Sequence, residues 1–276
     1  MTPEELAFLR AKAKEIRKLT IDAIGYLGVG HIGGALSLVE ALTLLYYRHM
    51  RVDPQQPRWP ERDWLVLSKG HAGPALYSVL ADKGFFPREW LHTLNRGGTS
   101  LPSHCDRTLT PGVDMTTGSL GQGLSAALGI ALGLRLSGLP GRVYCIIGDG
   151  ESQEGQIWEA AMAAAHYRVN TLIALLDYNK LQIDGPVREI MNLEDVEAKW
   201  RAFGWKVYAV DGHDLEQLDA ALTLARSAAG PVLIVLHTIK GKGAFFAEGK
   251  VENHNMPVSY ELAQEAIRKL DEEEQA

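Results

Sequence analysis

Between Arg142 and Thr238 the chain repeats one pattern: a short apolar run, a turn, a helical stretch, then another apolar run. "RVYCIIGDG", "TLIALLDYN", "WKVYAV" and "PVLIVLHT" each read as a strand with an apolar core. Helical stretches over 155–168, 192–203 and 214–227 follow the first three. Continuous apolar runs alternating with helices predict a parallel sheet covered by helices on both faces, an α/β fold. An earlier run, "WLVLS" (64–68), adds another strand. Upstream, Leu6, Leu9, Ala13, Ile16 and Ile24 share one face of a helix from Pro3 to about Leu27. Ser37 is the expected N-cap of a second helix, "LSLVEALTLLYY". The Pro-rich "DPQQPRWP" (53–60) is too short and too early to divide two domains, so a single domain over 1–276 is expected.

Open α/β sheets bind ligands at the C-terminal ends of their strands. Asp149 and Asn179, thirty positions apart, each follow such an end. Gly148 and Gly150 let the backbone turn tightly there, and the following helix aims its free N–H groups and positive dipole end at the turn. A carboxylate, an amide oxygen and a main-chain carbonyl near Leu181, completed by phosphates and water, would suit Mg²⁺ or Ca²⁺. Taken alone, "GDG" fits an ordinary turn equally well.

The remaining chemistry is read through a resemblance. "GDGESQEGQIWEA" with "DYNKLQIDG" is similar to the thiamine-diphosphate motif of transketolases. "GHIGGALS" (30–37), "LSKGHAGPALY" (67–77), "LPSHCD" (101–106), "TTGSLGQGLSAALGIALG" (116–133) and "KGKG" (240–243) resemble the same family in the same order. The resemblance implies the diphosphate-binding fold, with thiamine diphosphate and a divalent ion, Mg²⁺ or alternatively Ca²⁺ or Mn²⁺, as cofactors. It implies Asp149, Asn179 and the Leu181 carbonyl as metal ligands. Gly148, Asp149, Gly150 and Glu151 would meet the diphosphate, with Gly118, Ser119 and Leu120 beside the cofactor rings. Glu154 and Glu159 match glutamates of an interface proton relay, though Glu159 reads equally as an exposed helix residue. His31, His71, His104 and His254 match histidines that contact the diphosphate or the sugar and move protons, work suited to an imidazole's near-neutral pKa. His71 and His254 are also implied in cofactor binding. "ENHNMP" departs from the usual family context of His254. His49, His92, His166, His213 and His237 are expected to be structural, and Cys105 a bystander.

Full-length transketolases continue into a pyrimidine-binding and a C-terminal domain, whereas this chain stops at Ala276. The resemblance therefore implies the N-terminal subunit of a split transketolase. A partner chain would carry the pyrimidine-binding half, and self-association into a heterotetramer is expected. The reaction implied is transfer of a two-carbon ketol unit between sugar phosphates. Alternatives are another split ketol-transferring enzyme acting on a modified sugar, a 2-oxo acid dehydrogenase α-subunit, or a cofactor-binding module without turnover. A dinucleotide-binding protein is disfavoured because no G-x-G-x-x-G follows a first strand. A net charge of −6 gives no reason to expect nucleic acid, and no apolar run approaches the ~20 residues of a membrane span. With two cysteines and no signal segment, a cytoplasmic location is expected.

Overall fold

The computed structural model describes residues 1–272. Its centre is a five-stranded sheet of β1 (Trp64–Leu67), β2 (Val143–Gly148), β3 (Leu172–Tyr178), β4 (Lys206–Asp211) and β5 (Val232–His237). The spatial order is β1-β2-β3-β5-β4, and every pairing is parallel. The principal helices are α1 (Pro3–Leu27), α2 (Gly73–Lys83), α3 (Gln122–Leu136), α4 (Gly155–His166), α5 (Val196–Ala202), α6 (Leu215–Ala225) and α7 (Tyr260–Glu272).

Strand periodicity divides the core in two. Tyr144, Ile146, Ile173, Leu175, Val232 and Ile234 face a cluster built on α1, α2, α6 and α7. Their neighbours Val143, Cys145, Ile147, Leu172, Ala174 and Val235 face α3, α4 and α5. Successive side chains point to opposite faces, so strands covered on both sides must be apolar throughout. The expected helix-covered parallel sheet is observed. α1 starts with a capping box in which Glu5 N–H donates to Thr2 Oγ1 and Thr2 N–H to the Glu5 carboxylate.

Three local expectations need correction. Ser37 is not the N-cap of the helix that follows, where Leu38 takes that position; instead it closes the short helix Ile32–Leu36 through its backbone. Its hydroxyl donates to Asp177 Oδ2 at 2.7 Å, because a buried carboxylate needs donors more than an already buried helix start does. The stretch after β3 first forms a two-residue bridge between Leu181–Gln182 and Gly185–Pro186, so α5 begins only at Val196, capped by Asp195. The helix after "GDG" is preceded by a 3₁₀ turn, Gly150–Gln153, so α4 lies one turn beyond the glycines.

Candidate functional site

Register places the site. Gly148 pairs with Asp177 and Asp177 with Leu236, so the segments leaving β2, β3 and β5 emerge side by side at one sheet edge. There they border a cavity of about 220 Å³ lined by Asp149, Gly150, Asn179 and Leu181, with Lys69, His71, Lys240 and His254 across from them. Asp149 Oδ1 accepts from the Gly150 N–H at 2.8 Å and Oδ2 from the Lys180 N–H. Lys180 adopts a left-handed backbone (φ 66°), uncommon for a long side chain and a mark of local strain. Asn179 Oδ1 accepts from Leu181 N–H at 3.0 Å, and its amide nitrogen donates to Asp177 Oδ2 at 3.1 Å. Burial, and then the charge of Asp177, push the Asp149 carboxyl up to about 7.

Behind Asp149 lies a buried charge network that the motifs did not announce. Asp177 is fully buried and receives Lys69 Nζ, the hydroxyls of Ser37 and Thr238, and the Asn179 amide. Burial works to raise its carboxyl, but the adjacent Lys69 ammonium and these donors hold it below the usual carboxylate range. Lys240, also buried, has its ammonium pushed down to about 8, by burial first and by Lys69 next. Both lysines stand inside quoted motifs, "LSKGHAGPALY" and "KGKG". The legible signal is a lysine two or three residues past the end of an apolar strand-like run.

The four histidines converge. The His31 ring lies 5.5 Å from His71, 5.5 Å from His104 and 5.4 Å from His254, and His71 and His254 are 4.9 Å apart, all between centroids. Burial, then His104 and Lys240, lower His31 to about 4. Burial, then Lys240, likewise lower His254 to about 4. His71 is driven down further, by burial and then by Lys69. These three rings are held in the neutral form at pH 7, so each can accept a hydrogen bond at one nitrogen while donating one from the other. His104 is exposed, and of the four rings only His71 and His254 line the cavity, with His31 beside them and His104 beyond His31. Lys240 Nζ lies 3.5 Å from His254 Nδ1.

The other expected residues divide. Leu120 lines the cavity, while Ser119 is exposed and outside its lining. Gly118 has φ 141°, and a Cβ there would come within 3.1 Å of the His104 ring. Glu151 borders the cavity with its carboxylate turned inward: Oε1 accepts from Ser68 Oγ and, at 2.9 Å, from Gly121 N–H, and Oε2 from Gly148 N–H at 3.0 Å. Glu154 and Glu159 are exposed, the first at the cavity rim and the second on the outer face of α4. Neither has an ion pair among the described residues. Cys105 is buried and burial pushes its thiol up to about 12, which removes it as a nucleophile. Of the remaining histidines, His49, His92 and His213 pair with Asp219, Asp22 and Glu40. His166 and His237 pack edge-on against Tyr167 and Tyr178.

The donor set fits a diphosphate carried with a divalent cation. Among the described residues, no three His, Cys, Asp or Glu side chains converge as a self-sufficient metal site. Asp149, the Asn179 amide and the Leu181 carbonyl offer three oxygens, and phosphate oxygens would complete the shell. A Cβ on Gly34 would sit 3.2 Å from both His71 Nε2 and Lys69 Nζ, so glycine at this position keeps the wall beside the ammonium open.

Residues 9–274 match the family model described as transketolase, thiamine diphosphate binding domain. The chain is 58% identical over 271 residues to the 6-deoxy-6-sulfo-D-fructose transketolase subunit SqwG of Clostridium sp. (strain MSTE9), covering 98% of each. It is 38% identical to an apulose-4-phosphate transketolase subunit from Actinobacillus succinogenes, covering 99% of this chain and 100% of that protein. Among solved structures, the transketolase of Campylobacter jejuni superposes with a TM-score of 0.91 at 32% identity, over 98% of this chain but 43% of that one.

Proposed function

The chain belongs to the transketolase family, within its thiamine diphosphate-binding domain, and we propose that it works as one subunit of a split transketolase. In this reading it holds thiamine diphosphate by the diphosphate, and a partner chain supplies the pyrimidine-binding half. Together they transfer a two-carbon ketol unit from a ketose to an aldose. The observation that carries the reading is the meeting of four histidine rings beside the Asp149–Asn179 cavity. The partner is supported by the two relatives of equal length, both named as subunits of transketolases.

Asp149, Asn179 and the Leu181 carbonyl would hold Mg²⁺, with Ca²⁺ or Mn²⁺ as substitutes, against the phosphates. Lys69 and Lys240 offset the remaining negative charge, and the Gly148–Gly150 turn presents backbone to the diphosphate. When bound, thiamine diphosphate supplies the nucleophilic carbon and electron sink that carry the two-carbon unit. His31, His71 and His254, neutral at pH 7, hydrogen-bond the sugar's hydroxyl and carbonyl oxygens and relay protons among them. His104 reaches the substrate from beyond His31, and Gly118 to Leu120 lie against the cofactor rings. Glu154 and Glu159, exposed on this chain, would become buried against the neighbouring subunit of a heterotetramer. The small residues Ala127, Ala131, Ala160 and Ala164 already serve packing within the domain. Gly129 and Gly133, with open space before them, are the positions left for close approach by another chain.

A modified or phosphorylated sugar is the substrate class favoured, since the 58% and 38% relatives are named for a sulfonated fructose and apulose 4-phosphate. Among the described residues no helix is long and apolar enough to cross a membrane, and both cysteines are free and buried. We place the working assembly in the cytoplasm. The test is ketol transfer by the purified chain with thiamine diphosphate and Mg²⁺, with and without a candidate partner, across a panel of ketose donors. Partner-dependent turnover is expected. Full activity from this chain alone would end the two-subunit reading, and cofactor binding with no partner-dependent turnover would favour a non-catalytic module.

A further inference from the structure

Away from the histidines, a second cavity of about 240 Å³ opens between the Pro57–Arg62 segment and the loop from Arg107 to Asp114. Three guanidinium groups line it, those of Arg58, Arg62 and Arg107, against one carboxylate, Asp114. Arg62 is buried and fixed: its Nε donates to Asp114 Oδ1 at 3.1 Å, and its guanidinium lies 3.8 Å from the Trp64 ring centroid. Asp114 is occupied twice, because its other oxygen accepts from Leu65 N–H at 2.9 Å. Arg58 and Arg107 are exposed and form no side-chain hydrogen bond or ion pair among the described residues. The nearest acid on the loop, Asp106, accepts from Thr108 and Thr116 instead. Asp53 borders a separate small cavity and accepts from Gln55 and Gln56. The lining therefore carries three guanidinium groups against one carboxylate, an excess of two positive charges.

We propose that this cavity binds the tetrahedral oxyanion of a small metabolite, free phosphate or a phosphate monoester, between Arg58 and Arg107. Planar guanidinium forks match such oxyanions bidentately, and two that start unpaired need give up no existing partner. Arg62, immobilised at the cavity wall, adds a fixed positive charge. The volume exceeds what a bare phosphate fills, leaving room for a short hydroxylated chain. The loop's base gives the site a connection. Thr117 N–H donates to the Cys105 carbonyl at 3.0 Å, pinching the loop shut one residue after His104 and one before Gly118. An anion gripping this loop would bear on both segments. The proposal does not depend on the assignment of the histidine cavity.

Titration calorimetry of the intact chain at low ionic strength tests it, using inorganic phosphate, glycerol 3-phosphate and uncharged glycerol as probes. Saturable binding that depends on Arg58 and Arg107 is expected for both anions and none for glycerol. Tighter binding of glycerol 3-phosphate would assign the site to monoesters, and equal binding to free phosphate. The Arg58→Gln/Arg107→Gln double variant should weaken binding at least tenfold, while Lys240→Gln should leave it within twofold. Both arginines are exposed, so the variant should keep the wild-type circular dichroism spectrum and melting curve. Unchanged affinity in the double variant, loss of binding only in Lys240→Gln, or no saturable binding to the wild type would each overturn the proposal.

Discussion

Replacing Lys69 by methionine isolates the charge pair beneath the cavity. The side chains of Lys69 and Asp177 are 3% and 0% exposed, so water cannot take over when the ammonium is removed. Breaking a buried pair from one side costs about 3–5 kcal/mol, because the surviving charge is stranded. Asp177 would keep the hydroxyls of Ser37 and Thr238 and the Asn179 amide, which places the expected loss near the lower end, about 3 kcal/mol. Urea unfolding at pH 7 should show this as a lower midpoint at unchanged slope. The variant should also acquire a pH dependence. Without Lys69, the Asp177 carboxyl rises above its unfolded value, so the folded chain binds the extra proton between the two pKa values. Stability then falls as pH rises through that window. Adding Asp177→Asn should restore more than half of the loss and abolish the new pH dependence. A Lys69→Met variant within about 1 kcal/mol of wild type, with nothing recovered in the double variant, would refute the coupling.

Asp149→Ala should abolish metal-dependent binding of thiamine diphosphate, measured by calorimetry with Mg²⁺; equal affinity in variant and wild type would show the metal assignment to be wrong. His104→Ala should leave that binding nearly intact and lower partner-dependent kcat by roughly 10²–10⁴, the range of a positioned proton-transfer group. With the Asp149 carboxyl raised to about 7 by burial and Asp177, a proton competes with the cation below that pH. Metal-dependent affinity should therefore weaken by about tenfold per pH unit below 7 and level off above it, with one proton released per cation bound well below that pH and none well above it. Titrations in buffers of different ionisation enthalpy would count that proton. His31 and His254, lowered to about 4, have the opposite linkage from Asp149: the unfolded chain protonates them first, so their contribution to stability is lost as pH falls from about 6.5 towards 4. Urea midpoints of His31→Asn and His254→Asn variants over that range should fall less steeply than the wild type's.

Residues that announce themselves in a loop were legible without coordinates. Asp149 and Asn179 follow strand-like runs, and parallel pairing of those runs brings them together. His31, His71 and His104 stand in glycine- or proline-bearing segments of matching motifs and His254 in a segment that departs from its family context, yet all four rings meet. Asp177 escaped notice because it lies inside "LIALLDY", where it reads as the frayed end of an apolar strand. Its burial comes from flanking strands more than twenty residues away in sequence, and non-local pairing leaves no local signature. The placement of β4 outside β5 was hidden for the same reason. Ser37 had the residue type and position of a helix cap, and a carboxylate 140 residues away claimed its hydroxyl. The resemblance implies Glu151 at the diphosphate, and it does border the cavity, but its hydrogen bonds to Ser68 and Gly121 come from two other segments and leave no local sign.

That inward carboxylate bears on how quickly the site can work. Through Glu151 the ends of β1 and β2 and the start of α3 share one acceptor group, so none of the three can swing open alone. An arriving diphosphate would meet walls already set in place, with little loop ordering to oppose its capture. Association should then resemble the docking of two rigid bodies, its rate governed by diffusion and the pull of Lys69 and Lys240. Release would then be the slow side of that exchange, so a cofactor once seated would stay through many catalytic cycles.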